Sequence, residues 1–252
     1  RGIVDSVEKD YDYLAKEGVV KRYLNFSEVP IGELAGTWYI LGRVNETVNE
    51  LRMCAKDSGL YYADNRGNKS FDVKQWRAIK AWTTLSKDKK IFKKEAENMY
   101  RYIRELKAPK YRTPKFWMNT SDHEELSFID LVDYCGLDLD VEHQILSWFD
   151  ILKRNFTPNQ VAYFIRLLER YGQKTLDEEP DIIIDTIHSV KGGEANNVLI
   201  YSKANWPSAF INKNNAQQSD EKRVIYTGVT RAKDSLHILS TDHKFNYPIG
   251  ED

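Results

Sequence analysis

Ile182-Ile-Ile-Asp-Thr-Ile-His-Ser-Val-Lys-Gly-Gly-Glu194 and Ile225-Tyr-Thr-Gly-Val-Thr-Arg-Ala-Lys233 carry more of the fold than any other part of the chain. The first runs from three isoleucines straight into polar side chains and two adjacent glycines. That is how a buried strand ends in a loop that approaches a ligand closely. The second sets Arg231, always charged, among small residues where a guanidinium can reach an anion. Together they point to phosphate chemistry at strand ends.

Working outward, the same rhythm recurs near the other end of the chain. Gly36 to Leu41 reads as a short buried strand ending at Gly42-Arg43. Asn45 is then expected to cap a helix with Val48, Leu51 and Cys54 or Ala55 on one face, ending near Gly59. A short strand over Leu60–Tyr62 and a polar turn over 64–69 follow. Residues 3–17 place Val4, Val7, Tyr11 and Leu14 at helical spacing, with Gly18 as the stop. Strands are expected at 181–185, 198–201 and 235–239, with a helix over 218–227. Strands alternating with helices define an α/β class.

The middle has another character. Helices are expected over Phe71–Leu85 and Val141–Lys153. A third begins with Thr157 as cap, Pro158 at the first position and Gln160 closing a capping box, and stops before Gly172. A polar linker is expected over 173–180. From Lys87 to Lys115 eleven Lys and Arg face four acids, interleaved with aromatics; from Asp122 to Glu142 eight acids meet no Lys or Arg. The expected organisation is one α/β domain formed by residues 1–72 and 175–252, with a mostly helical subdomain inserted over 73–174.

Composition excludes several classes. A net charge of −1 excludes a wholly polybasic binder but leaves room for a local basic patch. Cys54 and Cys135 lack metal-ligand spacing and read as two buried or half-buried thiols in a reducing compartment. No apolar run is long enough to span a membrane, and no metal site is evident. Gly67-Asn-Lys-Ser70 and Gly172-Gln-Lys-Thr175 lack P-loop spacing, and Asp177-Glu178 follows no apolar strand; surface turns account for all three. Taken singly, Arg43 after a strand fits a surface ion pair, and His188 fits a turn histidine.

Read jointly, these segments resemble the C-terminal half of UvrD/Rep-like superfamily 1 DNA helicases. Thr186 to Val198 resembles motif V, T-L-H-x-A-K-G-L-E-F-x-x-V. Glu221 to Leu236 resembles motif VI, E-x-R-R-L-x-Y-V-G-x-T-R-A-x-x-x-L, and Ile40-Leu-Gly-Arg43-Val-Asn45 resembles motif IV, I-L-x-R-x-N. The resemblance implies a RecA-like domain of P-loop-NTPase type that lacks the P-loop half, with an inserted subdomain. It implies that Arg43 and Arg231 act as arginine fingers on the γ-phosphate of ATP. Gly192 and Glu194 would hold the nucleotide, Glu194 through the ribose, and Thr186 and His188 would contact single-stranded DNA. Mg²⁺ would be held mainly by a first RecA-like domain of the same protein, preceding Arg1. Gly42 stands where the family often has an adenine-stacking aromatic, and Gly193 and Ala195 replace a Leu and a Phe.

The resemblance further implies 3′→5′ movement, a role in repair, replication or recombination, and a cytoplasmic, nucleoid-associated setting in a bacterial or phage-infected cell. Lys89, Lys90, Lys93 and Lys94 would contact duplex DNA by counterion release, or else form a solvated helical face. A different class of reading is a standalone nucleic-acid-binding or regulatory module that keeps the motor fold without ATPase activity.

Overall fold

The computed structural model describes residues 18–103, 121, 123–135, 141–203, 215–240, 246, 247 and 249. The helix expected over 3–17, the second half of the basic stretch (104–115) and the side chain of Cys135 lie outside them. The chain divides into two compact units, residues 1–70 with 174–252 and residues 71–173.

The first unit is built on a five-stranded sheet. Its strands are β1 (Val19–Tyr23), β2 (Trp38–Gly42), β5 (Ile182–Thr186), β6 (Ala195–Tyr201) and β7 (Ala232–Leu239), in the order β1-β7-β6-β2-β5. Every pairing among them is parallel. The central strands carry near-continuous apolar runs because both faces are covered, as parallel sheets require. On one face, Val48, Leu51 and Ala55 of α1 (Asn45–Asp57) pack with Trp38, Ile40, Ile182, Ile184 and Leu199. On the other, Ile187 and Val190 of the β5–β6 crossover join Ile225 of the helix Asn215–Val229, with Leu41, Val198, Ile200 and Ile238.

Several expectations change in detail. α1 starts one residue earlier than expected: Asn45, placed as its cap, is its first residue, and Val44 is the extended residue before it. Thr47 makes the reciprocal contact instead, its Oγ1 accepting from Val44 N (3.3 Å) and donating to Val44 O (2.8 Å). Leu60–Tyr62 forms no strand; only Ala63 bridges, to Ile183 and Lys69. β6 and β7 begin three residues earlier than expected, with Ala195 paired to Ala232, and buried Asn197 accepts from Ser235 Oγ (2.6 Å). β1 is an added strand at the sheet's edge, paired to β7 alone. Cys54 is exposed rather than buried.

The second unit contains α2 (Val73–Leu85), a short antiparallel pair β3 (Ile91–Phe92) and β4 (Glu125–Leu126), α3 (Lys93–Tyr100), α4 (Phe128–Cys135), α5 (Trp148–Ile151) and the start of α6 (Pro158–Asp177). Its core is aromatic: Phe164 meets Phe71 at 5.4 Å, Phe156 at 6.0 Å and Trp148 at 6.1 Å between ring centroids. The helix expected over Val141–Lys153 is broken into a 3-10 turn, Val141–Ile145, and α5, because extended Ser147 interrupts it. The Thr157–Gln160 box forms as expected, with Thr157 N donating to Gln160 Oε1 (2.9 Å) and Gln160 N to Thr157 Oγ1 (3.3 Å). Gly172, at φ +69°, ends the first segment of α6, and a further helical turn, not a linker, carries the chain to Asp177. The remaining helix, α7, is Asn215–Val229.

Candidate functional site

In a parallel sheet all strands point the same way, so loops after the strands gather at one edge. β2 and β5 lie side by side with Gly42 opposite Thr186, so Arg43 and Thr186 emerge together at that edge. Ile187 N donates to Gly42 O (3.0 Å), tying the two strand ends. No side chain fits at position 42: a Cβ there would lie 2.7 Å from Thr47 Oγ1 and 2.9 Å from Val48 N. The close turn into α1 therefore excludes the adenine-stacking aromatic of the resembled family.

Arg43 is held as a fork. Its Nε and Nη2 donate to the two carboxylate oxygens of Glu221, at 2.9 and 3.0 Å, and Tyr247 donates its hydroxyl to Glu221 Oε2 (3.2 Å). Glu221 is buried and Arg43 half-buried. The Glu221 hydrogen bonds, opposed in part by burial, raise the Arg43 guanidinium further above its ordinary value. The fork aims the guanidinium, which stays charged.

From Thr186 the crossover descends the sheet face to β6. Thr186 Oγ1 accepts from Ser189 N (3.3 Å), and Ser189 Oγ donates to Thr186 O (2.8 Å), which shapes the first turn. His188 is exposed there. Gly192 adopts φ +88° with open space beside it, a conformation that suits glycine. Glu194, exposed, pairs with Lys233 at 3.3 Å. Arg231 sits beside this far end: its Nε donates to Thr227 O (3.0 Å), Nη1 to Gly193 O (3.0 Å) and Nη2 to Thr230 Oγ1 (3.1 Å). Ala195 N donates to Arg231 O (3.0 Å), fixing both strand starts.

The two arginines expected to share one γ-phosphate are therefore not brought together. Arg43 follows the C-terminal end of β2, whereas Arg231 precedes the N-terminal end of β7. β6, seven residues long, spans the distance between those levels, about 20 Å at 3.3 Å per residue. Arg43 groups with Thr186 and His188; Arg231 groups with Gly192, Gly193 and Glu194.

The model of one protein family, described as the UvrD-like helicase C-terminal domain, matches residues 74–243, more than half of the chain. The chain belongs to that family. The match takes in the crossover, Glu221 and Arg231, and begins after Arg43. No curated protein matches the chain.

Within this UvrD-like domain the basic stretch divides. Lys89, Lys90 and Lys94 are exposed, but Lys93 is buried, its Nζ 3.9 Å from Glu97. Lys93 thus belongs to the packing of its helix and does not face a duplex. Among the described residues, no group of three or more His, Cys, Asp or Glu converges to hold a metal ion, and no helix is long and apolar enough to cross a membrane. Sequence alone does not give Glu221, which opens the motif VI string, its partner Arg43, 178 residues away; Arg223, two residues on, is exposed with Asp220 at 3.3 Å.

Proposed function

We propose that this UvrD-like domain is the C-terminal motor half of an ATP-dependent DNA helicase or translocase moving 3′→5′, acting with a preceding RecA-like domain. The observation that carries the reading is the crossover itself. The single segment Thr186–Glu194 joins Thr186 and His188, beside Arg43, to Gly192 and Glu194, beside Arg231. A segment of that kind can link a nucleic-acid contact at one end to a nucleotide contact at the other.

At the C-terminal strand edge, the Arg43 Nη1, Thr186 and His188 offer cationic and hydrogen-bonding groups to a single-stranded DNA backbone. At the other end, the donor set fits ATP: the Glu194 carboxylate accepts from ribose hydroxyls, and Gly192 permits close backbone approach. Arg231 keeps two of its five N–H groups for a phosphate oxygen. Arg223, on α7 but near the Glu221 end beside Arg43, is exposed and paired with Asp220 at 3.3 Å. When bound, ATP supplies the free energy of phosphoanhydride hydrolysis, with Mg²⁺ held by the preceding domain. The protein's own part is to orient the phosphates and neutralise charge.

The test is strand displacement by the full-length protein on duplexes with a 3′ or a 5′ single-stranded tail. ATP-dependent displacement from the 3′ tail is expected, with none from the chain of residues 1–252 alone. DNA-stimulated ATP hydrolysis by this chain in isolation contradicts the two-domain reading.

A further inference from the structure

The turn Asp64–Asn68 is not assigned a role by the motifs, yet it is tied to both sides of the Thr186–His188 segment. Asn65 N donates to Asp185 Oδ2 (3.1 Å), just before Thr186, and Asn65 Nδ2 donates to Ser189 O (2.7 Å), just after His188. The turn is also fixed internally. Asp64 Oδ1 accepts from Arg66 N and Asn68 N, both at 2.9 Å, and Asp64 Oδ2 accepts from Asn68 Nδ2 (2.8 Å). Asp64 N donates to Asn68 O and Gly67 N to Asp64 O, each at 3.0 Å, and Gly67 takes φ +82°. Lys69 closes the base by donating to Glu178 O (2.7 Å).

The turn thus holds one residue out. Arg66 is exposed, and its backbone N–H is bound while no described group engages its guanidinium. Five internal bonds and two external ones fix the backbone that carries Arg66 beside the segment from Asp185 to Ser189, which lowers the cost of ordering that backbone for an anion contact. Two carboxylates lie nearby: Asp64 accepts from three donors as above, and Asp185 from Asn65 N and, through Oδ1, from Thr186 N (2.7 Å). Their oxygens are held by these donors, and the Arg66 guanidinium is bonded to neither.

We propose that the Asp64–Asn68 turn is part of the nucleic-acid edge and that Arg66 contacts a backbone phosphate of single-stranded DNA beside Thr186 and His188. This rests on the reading of the C-terminal strand edge as the DNA track. Arg66 binds by charge and planar hydrogen bonding to the phosphate, so it contributes affinity rather than sequence preference.

The test is fluorescence anisotropy of this chain with a labelled oligothymidylate between about 50 and 200 mM salt. Arg66→Ala is expected to raise Kd roughly 5- to 10-fold at the lower salt and to flatten the slope of log Kd against log salt by about 0.7, one phosphate's worth on a single strand. Arg66→Lys should retain most of that slope, and all variants should melt with the wild type because the side chain has no intramolecular role. Lys21→Ala, on the edge strand at the opposite side of the sheet, should leave Kd unchanged. If Arg66→Ala binds like wild type while Arg43→Ala or His188→Ala weakens binding, the Arg66 assignment falls and the edge reading stands. If the wild-type chain binds no oligothymidylate, the edge reading falls and takes Arg66 with it. A lowered melting temperature of Arg66→Ala would assign the turn a folding role instead.

Discussion

Glu221 carries much of the electrostatics of the edge, since it fixes the Arg43 guanidinium that emerges beside Thr186. A charge-assisted fork between partly buried groups contributes about 1–3 kcal/mol, and leaving one partner unpaired costs more than removing both. A double-mutant cycle with Arg43→Ala and Glu221→Ala, read by urea denaturation, should therefore give a coupling of about 1–3 kcal/mol. A coupling near zero would show that the fork does not hold Arg43. His237 offers a second residue-scale check. It is fully buried, its Nε2 2.7 Å from Ser235 Oγ and its Nδ1 3.1 Å from the Tyr23 hydroxyl, and its ring packs against Trp38 at 4.9 Å. Ser235 donates to Asn197, so the neutral imidazole gives its Nε2 proton to Ser235 and accepts from Tyr23. Burial, reinforced by Lys21, lowers its pKa from 6.5. The unfolded chain then binds more protons just below that value, so this contribution to stability is complete above about pH 6.5 and is lost as pH falls toward the depressed folded pKa. NMR titration of the imidazole should give a value under 6.5; a value above it would reverse the sign.

At the scale of elements, the strand–turn–helix from β2 into α1 depends on Gly42. Gly42→Ala should destabilise by about 1–3 kcal/mol, because its Cβ meets backbone at Val48 N rather than a movable side-chain tip. An unchanged urea midpoint would mean that the turn relaxes freely. Thr157→Ala, which removes one half of the capping box, should cost about 1 kcal/mol. The apolar runs at Ile182–Ile184 and Trp38–Leu41 and the Thr157-Pro158 start were legible because periodicity and capping are local. Other elements were hidden for physical reasons. The early parts of β6 and β7 hold polar residues, and the Asn197–Ser235–His237 network, made across strands, explains how those three are buried. β1 reads as exposed Val-Val-Lys-Arg because it is an edge strand. The break at Ser147 lets the Leu146 carbonyl accept from Trp82 Nε1 (3.0 Å), a partner that lies 64 residues away in sequence.

For the whole molecule, the α/β class and membership among UvrD-like helicase C-terminal domains follow from motif strings, since spacing between conserved-type residues survives in one dimension. What one dimension conceals is which end of a strand each residue occupies. Arg43 ends one strand and Arg231 starts another, and strand polarity then separates them by the length of β6. On the proposed function, that separation puts nucleic acid at the Arg43 edge and nucleotide at the Arg231 end. The most direct measurement compares Arg43→Ala and Arg231→Ala in the full-length protein for single-stranded DNA affinity and for ATP turnover at saturating DNA. Arg43→Ala should weaken DNA binding about tenfold while turnover at saturation is kept, a loss of one charge-assisted phosphate contact. Arg231→Ala should abolish turnover while DNA affinity is largely retained. Equal loss of turnover in both variants, with DNA affinity intact in each, would return both arginines to a single phosphate and contradict the account.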